Sequence, residues 1–290
     1  MTDHRKVDSV SGTEITGHEW DGIAELNTPL PRWWLWMFYA TIAWSVVYWV
    51  LMPAWPLVSS YTRGALGYSQ RESVLQEIEA AKAARAELGL ALADASLEEI
   101  RGNPQLLEFA LANGKAAFGD NCAPCHGSGA TGSTGYPNLQ DDDWLWGGTL
   151  NDIHRTIRFG ARTGHPDTHQ SEMLAFGRDG ILKKDEIRTV ANYVLSLSGK
   201  AFDPKLSLEQ GSAIFAQNCA ACHGADAKGN PETGAPNLTD AVWLYGGLPE
   251  QVIATITNGR KGVMPTWEGR LDPVTIKSLA VYVHSLGGGK

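Results

Sequence analysis

Cysteine is scarce in this 290-residue chain: there are four, Cys122, Cys125, Cys219 and Cys222, and each pair is followed at once by a histidine. So few thiols in so regular a pattern leave four readings of the two strings: a redox pair, a disulfide framework, a zinc site or c-type haem attachment. A thioredoxin-like pair rarely carries an adjacent His and has no reason to occur twice. A zinc site of four thiolates, or of two thiolates and two imidazoles, leaves the duplicated spacing unexplained. Haem attachment accounts for every residue, because two thiols add across the haem vinyl groups and the neighbouring imidazole reaches the iron. Cys122-Ala-Pro-Cys125-His126 and Cys219-Ala-Ala-Cys222-His223 therefore predict two covalently bound c-type haems, with His126 and His223 as iron ligands.

Basic charge is also in short supply. Asp and Glu number 32 against 24 Lys and Arg, a net of -8, which argues against nucleic acid as a partner. Most of that excess precedes the haem motifs: residues 1–110 hold 14 acidic and 8 basic groups, residues 111–290 hold 18 and 16. A third absence is local, since residues 33–55 contain no Asp, Glu, Lys, Arg or His. As a helix that run extends roughly 34 Å, enough to cross a bilayer core of about 30 Å. Trp33, Trp34 and Trp36 crowd one end and Trp49 and Trp55 the other, as interfacial aromatics do. A cleavable signal peptide fits badly, because a polar stretch of 32 residues precedes the run and no small-residue cleavage site follows. The expectation is an uncleaved single-span anchor over 33–56, with Thr41 and Ser45 as packing positions. Flanking charge does not orient it, since Arg5, Lys6 and Arg32 lie on one side and Arg63 and Arg71 on the other. Covalent haem attachment takes place outside the cytoplasm, which predicts a cytoplasmic tail over 1–32 and periplasmic residues thereafter in a bacterial inner membrane.

Beyond the span, Ser69-Gln70-Arg71-Glu72 reads as a capping box that opens a helix to about Ala93, with Leu75, Ile78, Lys82 and Arg85 at helical spacing. Ser96-Leu97-Glu98-Glu99 repeats the signal and Gly102-Asn103-Pro104 stops it. This is a helical spacer over 57–110 with a solvated charged face.

From residue 111 the sequence is duplicated. Gly114 to Phe118 matches Gly211 to Phe215, and Pro137-Asn138-Leu139 matches Pro236-Asn237-Leu238. Trp144-Leu-Trp-Gly-Gly148 matches Trp243-Leu-Tyr-Gly-Gly247, Thr156 to Gly160 matches Thr255 to Gly259, and Val190 to Leu197 matches Leu279 to Leu286. Each unit has a helix ending at the haem motif, a Gly- and Pro-rich loop able to wrap a flat apolar ligand, a short helix and a final helix. The fold expected is mainly α, with tandem cytochrome c domains over 111–200 and 205–290 joined at Asp203-Pro204-Lys205.

A haem held by one histidine is open on its other face, and a thioether there closes it and raises the potential. Gly262-Val263-Met264-Pro265 sets Met264 in a loop of the second unit, and Ser171-Glu172-Met173-Leu174 sets Met173 in the corresponding loop of the first after an insertion. Met173 and Met264 are the expected sixth ligands. His154, His165 or His169 is the alternative at the first haem, and an exchange in which each Met reaches the other haem stays open; otherwise His165 and His169 belong to a solvated loop. Trp144 and Trp243 are expected to pack near the haems, Arg158, Arg162, Arg260 and Lys261 to face propionates, and Asp141-Asp142-Asp143 to form a solvated turn.

The anchor, the Ala/Glu-rich spacer, the tandem motifs with Trp-x-x-Gly-Gly loops and the pre-membrane segment from Glu19 to Pro31 together resemble subunit III of cbb3-type cytochrome c oxidases. The resemblance covers nearly the whole chain. Leu174 stands where the family has proline after the ligand methionine. The resemblance implies a dihaem relay that takes electrons from a cytochrome c or the bc1 complex. It passes them to the monohaem and catalytic subunits of a haem-copper oxidase, where oxygen is reduced to water in another chain. No residue of this chain is then catalytic. Rival readings are an electron-transfer subunit of a periplasmic dehydrogenase, a dihaem peroxidase, which needs one iron open to peroxide, and a gas-binding or sensory module.

Overall fold

The computed structural model describes residues 6–200 and 202–289. The chain falls into two compact units divided between Ala83 and Ala84. Arg5, one of the charges flanking the apolar run, lies outside the described residues.

The N-terminal unit opens with a hairpin absent from the sequence expectation. Strands β1 (Ile15–Trp20) and β2 (Ile23–Leu26) pair antiparallel, with Trp20 opposite Ile23 and Glu19 opposite Ala24. Asp21 and Gly22 join them with φ of 48° and 83°, the two positive values that a tight I′-type hairpin turn requires and that Asp-Gly supplies at low cost. Helix α1 (Arg32–Leu51) follows, with no buried residue along its length. It is shorter than the apolar run: Met52 is extended, because the residue before Pro53 is pushed out of the helical region. Twenty helical residues still rise about 30 Å, the thickness of a bilayer core. The Thr41 hydroxyl donates to Phe38 O at 2.7 Å and the Ser45 hydroxyl to Thr41 O at 2.8 Å, so both polar groups are satisfied within the helix.

Helix α2 (Gln70–Asp94) starts where Ser69 predicts it, with Ser69 Oγ accepting from the Glu72 amide at 3.3 Å. In the C-terminal unit, α3 (Leu97–Gly102) carries the complete Ser96/Glu99 capping box. Asn103 and Pro104 end it and at once begin α4 (Pro104–Asn121), with Asn103 Oδ1 accepting from the Gln105 and Leu106 amides. Then come α5 (Ala123–His126), α6 (Leu150–Phe159), α7 (Lys184–Leu197), α8 (Leu208–Asn218), α9 (Ala220–His223), α10 (Pro249–Asn258) and α11 (Pro273–His284).

Two apolar cores form, and they do not coincide with the two sequence repeats. The first joins Leu106, Ala110 and Phe118 of α4 and Ile153 and Ile157 of α6 to Ile276, Leu279 and Val283 of α11. The second joins Phe215 of α8 and Val252 and Ile256 of α10 to Ile187, Val190 and Val194 of α7. Helix α11, which ends the second repeat, thus packs on α4 and α6 of the first, while α7 of the first packs on α8 and α10 of the second. Glycines make both crossings close. A Cβ on Gly114 would lie 2.3 Å from Ser278 O and 2.6 Å from Tyr282 Cβ; one on Gly211 would lie 2.5 Å from Tyr193 Cβ. Phe118–Tyr282 and Phe215–Tyr193 ring pairs, with centroids 5.5 and 5.7 Å apart, complete the two equivalent contacts.

The spacer expectation also changes. The charged residues Glu72, Glu77, Glu79, Lys82, Arg85 and Glu87 are exposed, but Leu92, Leu97 and Ile100 are buried in the first core, so the segment from about 84 to 110 belongs to the haem-motif unit. Position 110 lies inside α4.

Candidate haem sites

Each haem motif is built the same way. The helix before it ends on a hydrogen bond from the first cysteine's amide, Cys122 to Phe118 O and Cys219 to Phe215 O, and a single turn, α5 or α9, then carries the second cysteine and the histidine. Within that turn the His126 amide donates to Cys122 O and the His223 amide to Cys219 O. The spacing of the motif is therefore the pitch of one helical turn, which sets both thiols and the imidazole around one location. Cys122 and Cys219 are half-buried and Cys125 and Cys222 exposed. Before haem attachment, burial pushes the Cys122 and Cys219 thiols up to about 11, so both are neutral near pH 7.

The imidazoles are oriented by the loops that follow. His126 Nδ1 lies 2.9 Å from Pro137 O and His223 Nδ1 3.0 Å from Pro236 O. A carbonyl can only accept, so Nδ1 carries the proton and the Nε2 lone pair is left for a metal. Burial lowers the pKa of both histidines, against a smaller opposing effect of those same bonds, and so favours the neutral ring that a metal needs.

A cavity of about 420 Å³ contains the first site, within the usual range for cofactor pockets. Cys122, Cys125 and His126 line it together with Leu139, Trp144, Ile153 and Ile157, and so does Met264. At the second site Cys219, Leu238, Trp243 and Met173 pack against one core. Trp144 Nε1 donates to Gly288 O, whereas Trp243 Nε1 is buried with no partner among the described residues. That donor fits a c-type haem, whose propionates would supply the acceptor the protein lacks.

None of the alternative ligands for the first haem, His154, His165 and His169, is among the residues that line the first cavity, and two of them have partners of their own. His165 Nε2 lies 3.0 Å from Glu268 Oε2 and its ring stacks on Phe159. His169 Nε2 lies 3.0 Å from Thr156 Oγ1 and its ring stacks on Trp146. The solvated-loop expectation for these two is thus replaced by a packed one. His154 is part-buried, and burial lowers its pKa. Of the expected propionate cations, Arg158 is paired with Glu268 and Lys261 with Glu172, while Arg162 lines the first cavity. Arg260 bonds Thr255 Oγ1 at 2.6 Å and lies 4.1 Å from the Tyr245 ring centroid.

Two features escaped the sequence reading. Leu244 and Tyr245 of the second repeat line the first cavity; the match of Trp146 to Tyr245 in the duplication was the available signal. Nor is the acidic turn simply solvated: partial burial first, then the Asp240 carboxylate, raises Asp143 to about 6.

Comparison with known proteins settles what these sites belong to. Residues 12–59 match the N-terminal domain of cytochrome oxidase-cbb3, FixP, residues 111–198 match cytochrome c, and residues 207–283 match cytochrome c oxidase, cbb3-type, subunit III. The cbb3-type cytochrome c oxidase subunit FixP of Bradyrhizobium diazoefficiens is 61% identical over the whole of both chains. The chain belongs to this subunit family. FixP of Azorhizobium caulinodans is 57% identical over 99% of this chain and 97% of its own, and CcoP of Azospirillum brasilense 54% identical over 99% of each. As a FixP/CcoP subunit, the chain is the dihaem electron-transfer component of a cbb3-type oxidase, and its two cytochrome c repeats carry two covalently bound c-type haems. The FixP-type N-terminus and the unburied apolar helix α1 fit a membrane anchor.

Proposed function

We propose that Cys122 and Cys125 tether one haem and Cys219 and Cys222 the other, that His126 and His223 are the proximal ligands, and that Met173 and Met264 are the distal ones. The observation that carries this reading is the pair of Nδ1–carbonyl bonds, which leave Nε2 of each motif histidine free. Bound c-type haem supplies a one-electron Fe(III)/Fe(II) couple. The residues set how that couple behaves: imidazole held by a carbonyl is a more basic ligand, a thioether favours the ferrous state, and a closed coordination shell excludes oxygen and peroxide. Leu139, Trp144, Ile153, Ile157 and Val283 surround the first site with apolar surface that keeps water from the haem.

Electrons enter from a cytochrome c or the bc1 complex and leave to the monohaem and catalytic subunits of the oxidase. Residues after the anchor face the periplasm and the N-terminal hairpin faces the cytoplasm, because haem attachment demands an extracytoplasmic site.

A ferrous carbon monoxide difference spectrum of the purified full chain tests the closed sites. Negligible binding is expected, and stoichiometric binding at either haem would refute six-coordination there. Recovery of the tagged chain without any haem-copper oxidase subunit would refute the proposed acceptor.

A further inference from the structure

Strands β1 and β2 bury none of their side chains. Trp20 and Ile23 stand directly opposite each other beside the Asp21-Gly22 turn, 71% and 74% exposed, so the hairpin ends in a contiguous apolar tip. A two-stranded hairpin is at best marginally stable in water unless something packs on it. This one carries its largest apolar side chain where a partner would reach it first.

Charge decides what that partner is. Residues 6–31 hold five acidic groups, Asp8, Glu14, Glu19, Asp21 and Glu25, against Lys6 alone. Glu19, Asp21 and Glu25 flank the apolar pair and are exposed. The five residues Asn27 to Pro31 link β2 to α1, a reach of roughly 20 Å, so the hairpin stays near the end of the anchor. A bilayer surface is the wrong complement, because the cytoplasmic leaflet is anionic and attracts basic segments. Cytoplasmic loops of multi-span membrane proteins carry the opposite charge, an excess of Lys and Arg. The chain is an oxidase subunit, so loops of that kind on its membrane-embedded neighbours lie within reach.

Resting on the cytoplasmic placement of the N-terminus given above, we propose that the hairpin tip docks on a Lys/Arg-rich cytoplasmic loop of a multi-span subunit of the oxidase. Trp20 and Ile23 form the apolar anchor, and Glu19, Asp21 and Glu25 form the charged rim. Asp and Glu weigh little in the orientation of a span, so the acidity of the hairpin does not oppose that placement.

The test uses the whole oxidase containing the full chain, with a benzophenone-bearing residue in place of Ile23, irradiated in its membrane and then purified. A cross-link to a Lys/Arg-rich cytoplasmic loop of an oxidase subunit, mapped by mass spectrometry, is expected. Cross-links to lipid alone, to a second copy of this chain or to nothing overturn the docking. Trp20→Ala should hasten loss of the chain from the detergent-solubilised oxidase roughly tenfold. Glu19→Gln with Glu25→Gln should do so at low salt only, because salt screens the rim in the parent as well. Loss at the parent's rate in both variants also overturns it. Placement is read separately through Val10→Cys, at a side chain 94% exposed. An impermeant maleimide should label it in inside-out vesicles and not in spheroplasts. Labelling in spheroplasts overturns the cytoplasmic placement, and the docking with it; the expected labelling without the cross-link overturns the docking alone.

Discussion

At the scale of single residues, the proton economy of the two histidines explains why the motif alone is not a site. His126 and His223 need an acceptor at Nδ1, and the chain supplies it from Pro137 and Pro236, eleven and thirteen residues downstream. The motif residues were legible because their chemistry is local and all four thiols are spent on it. The role of the proline carbonyls was not, because it depends on where a loop returns. Asp143 shows the same limit. Its carboxyl is raised from 3.8 to about 6 by burial and by Asp240, so the folded chain holds this proton more tightly than the unfolded chain does. The contribution of this carboxyl to stability is therefore greatest below about pH 4, declines as pH rises towards 6, and is flat above it. Asp143→Asn should remove that decline, with a melting temperature above the parent's at pH 7 and equal to it near pH 4. The effect is small because the group is largely exposed. Thermal melts of both proteins across that range check it, and a constant offset would show that the carboxyl does not titrate as stated.

Among the elements, those with an N-cap signal were readable in advance: α2 and α3 begin where Ser69 and Ser96 place them, since a cap is a contact over three residues. Helix α1 ends earlier than its apolar run because backbone sterics at Pro53 outrank hydropathy. The β1–β2 hairpin has its own signal in Asp21-Gly22, a two-residue turn pair lying just ahead of the much longer apolar run. Helix α4 offers a paired test. Gly114 lies at the crossing with α11, so Gly114→Ala is expected to cost about 1–3 kcal/mol by overpacking. Gly119 on the same helix would place its Cβ within 4 Å of nothing, and Gly119→Ala should gain up to about 1 kcal/mol from helix propensity. Denaturation followed through the haem absorbance reads both. Equal effects would mean that the α4–α11 contact is not close.

For the whole molecule, the duplication told where the repeats lie but not how they pack. The reason is physical: α7 and α11 present similar residues at their glycine contacts, Thr189 and Tyr193 in one and Ser278 and Tyr282 in the other, so the repeat alone does not tell which helix packs on which core. The connections decide between them, and the outcome is a topology that repeat boundaries hide. One core draws on residues from Met173 through α10 without interruption, while the other needs α4 and α6 from before that stretch and α11 from after it. A fragment over about 168–262 should therefore fold and accept one haem, whereas a fragment over 111–200, a complete cytochrome c repeat by sequence, should not. Circular dichroism and haem staining of the two, expressed with a haem-attachment system, distinguish them; the opposite pattern would overturn the packing.

The position of α11 has a consequence for the order in which the protein is made. The ribosome releases the His126 motif long before the helix and the methionine that cover it, and the His223 half can settle while the chain is still growing. The earliest haem-binding segment is thus the last to be finished, and its completion waits on α11. A chain cut short between α10 and α11 would carry one sound centre and one exposed one, so an intact first centre certifies that translation passed α11.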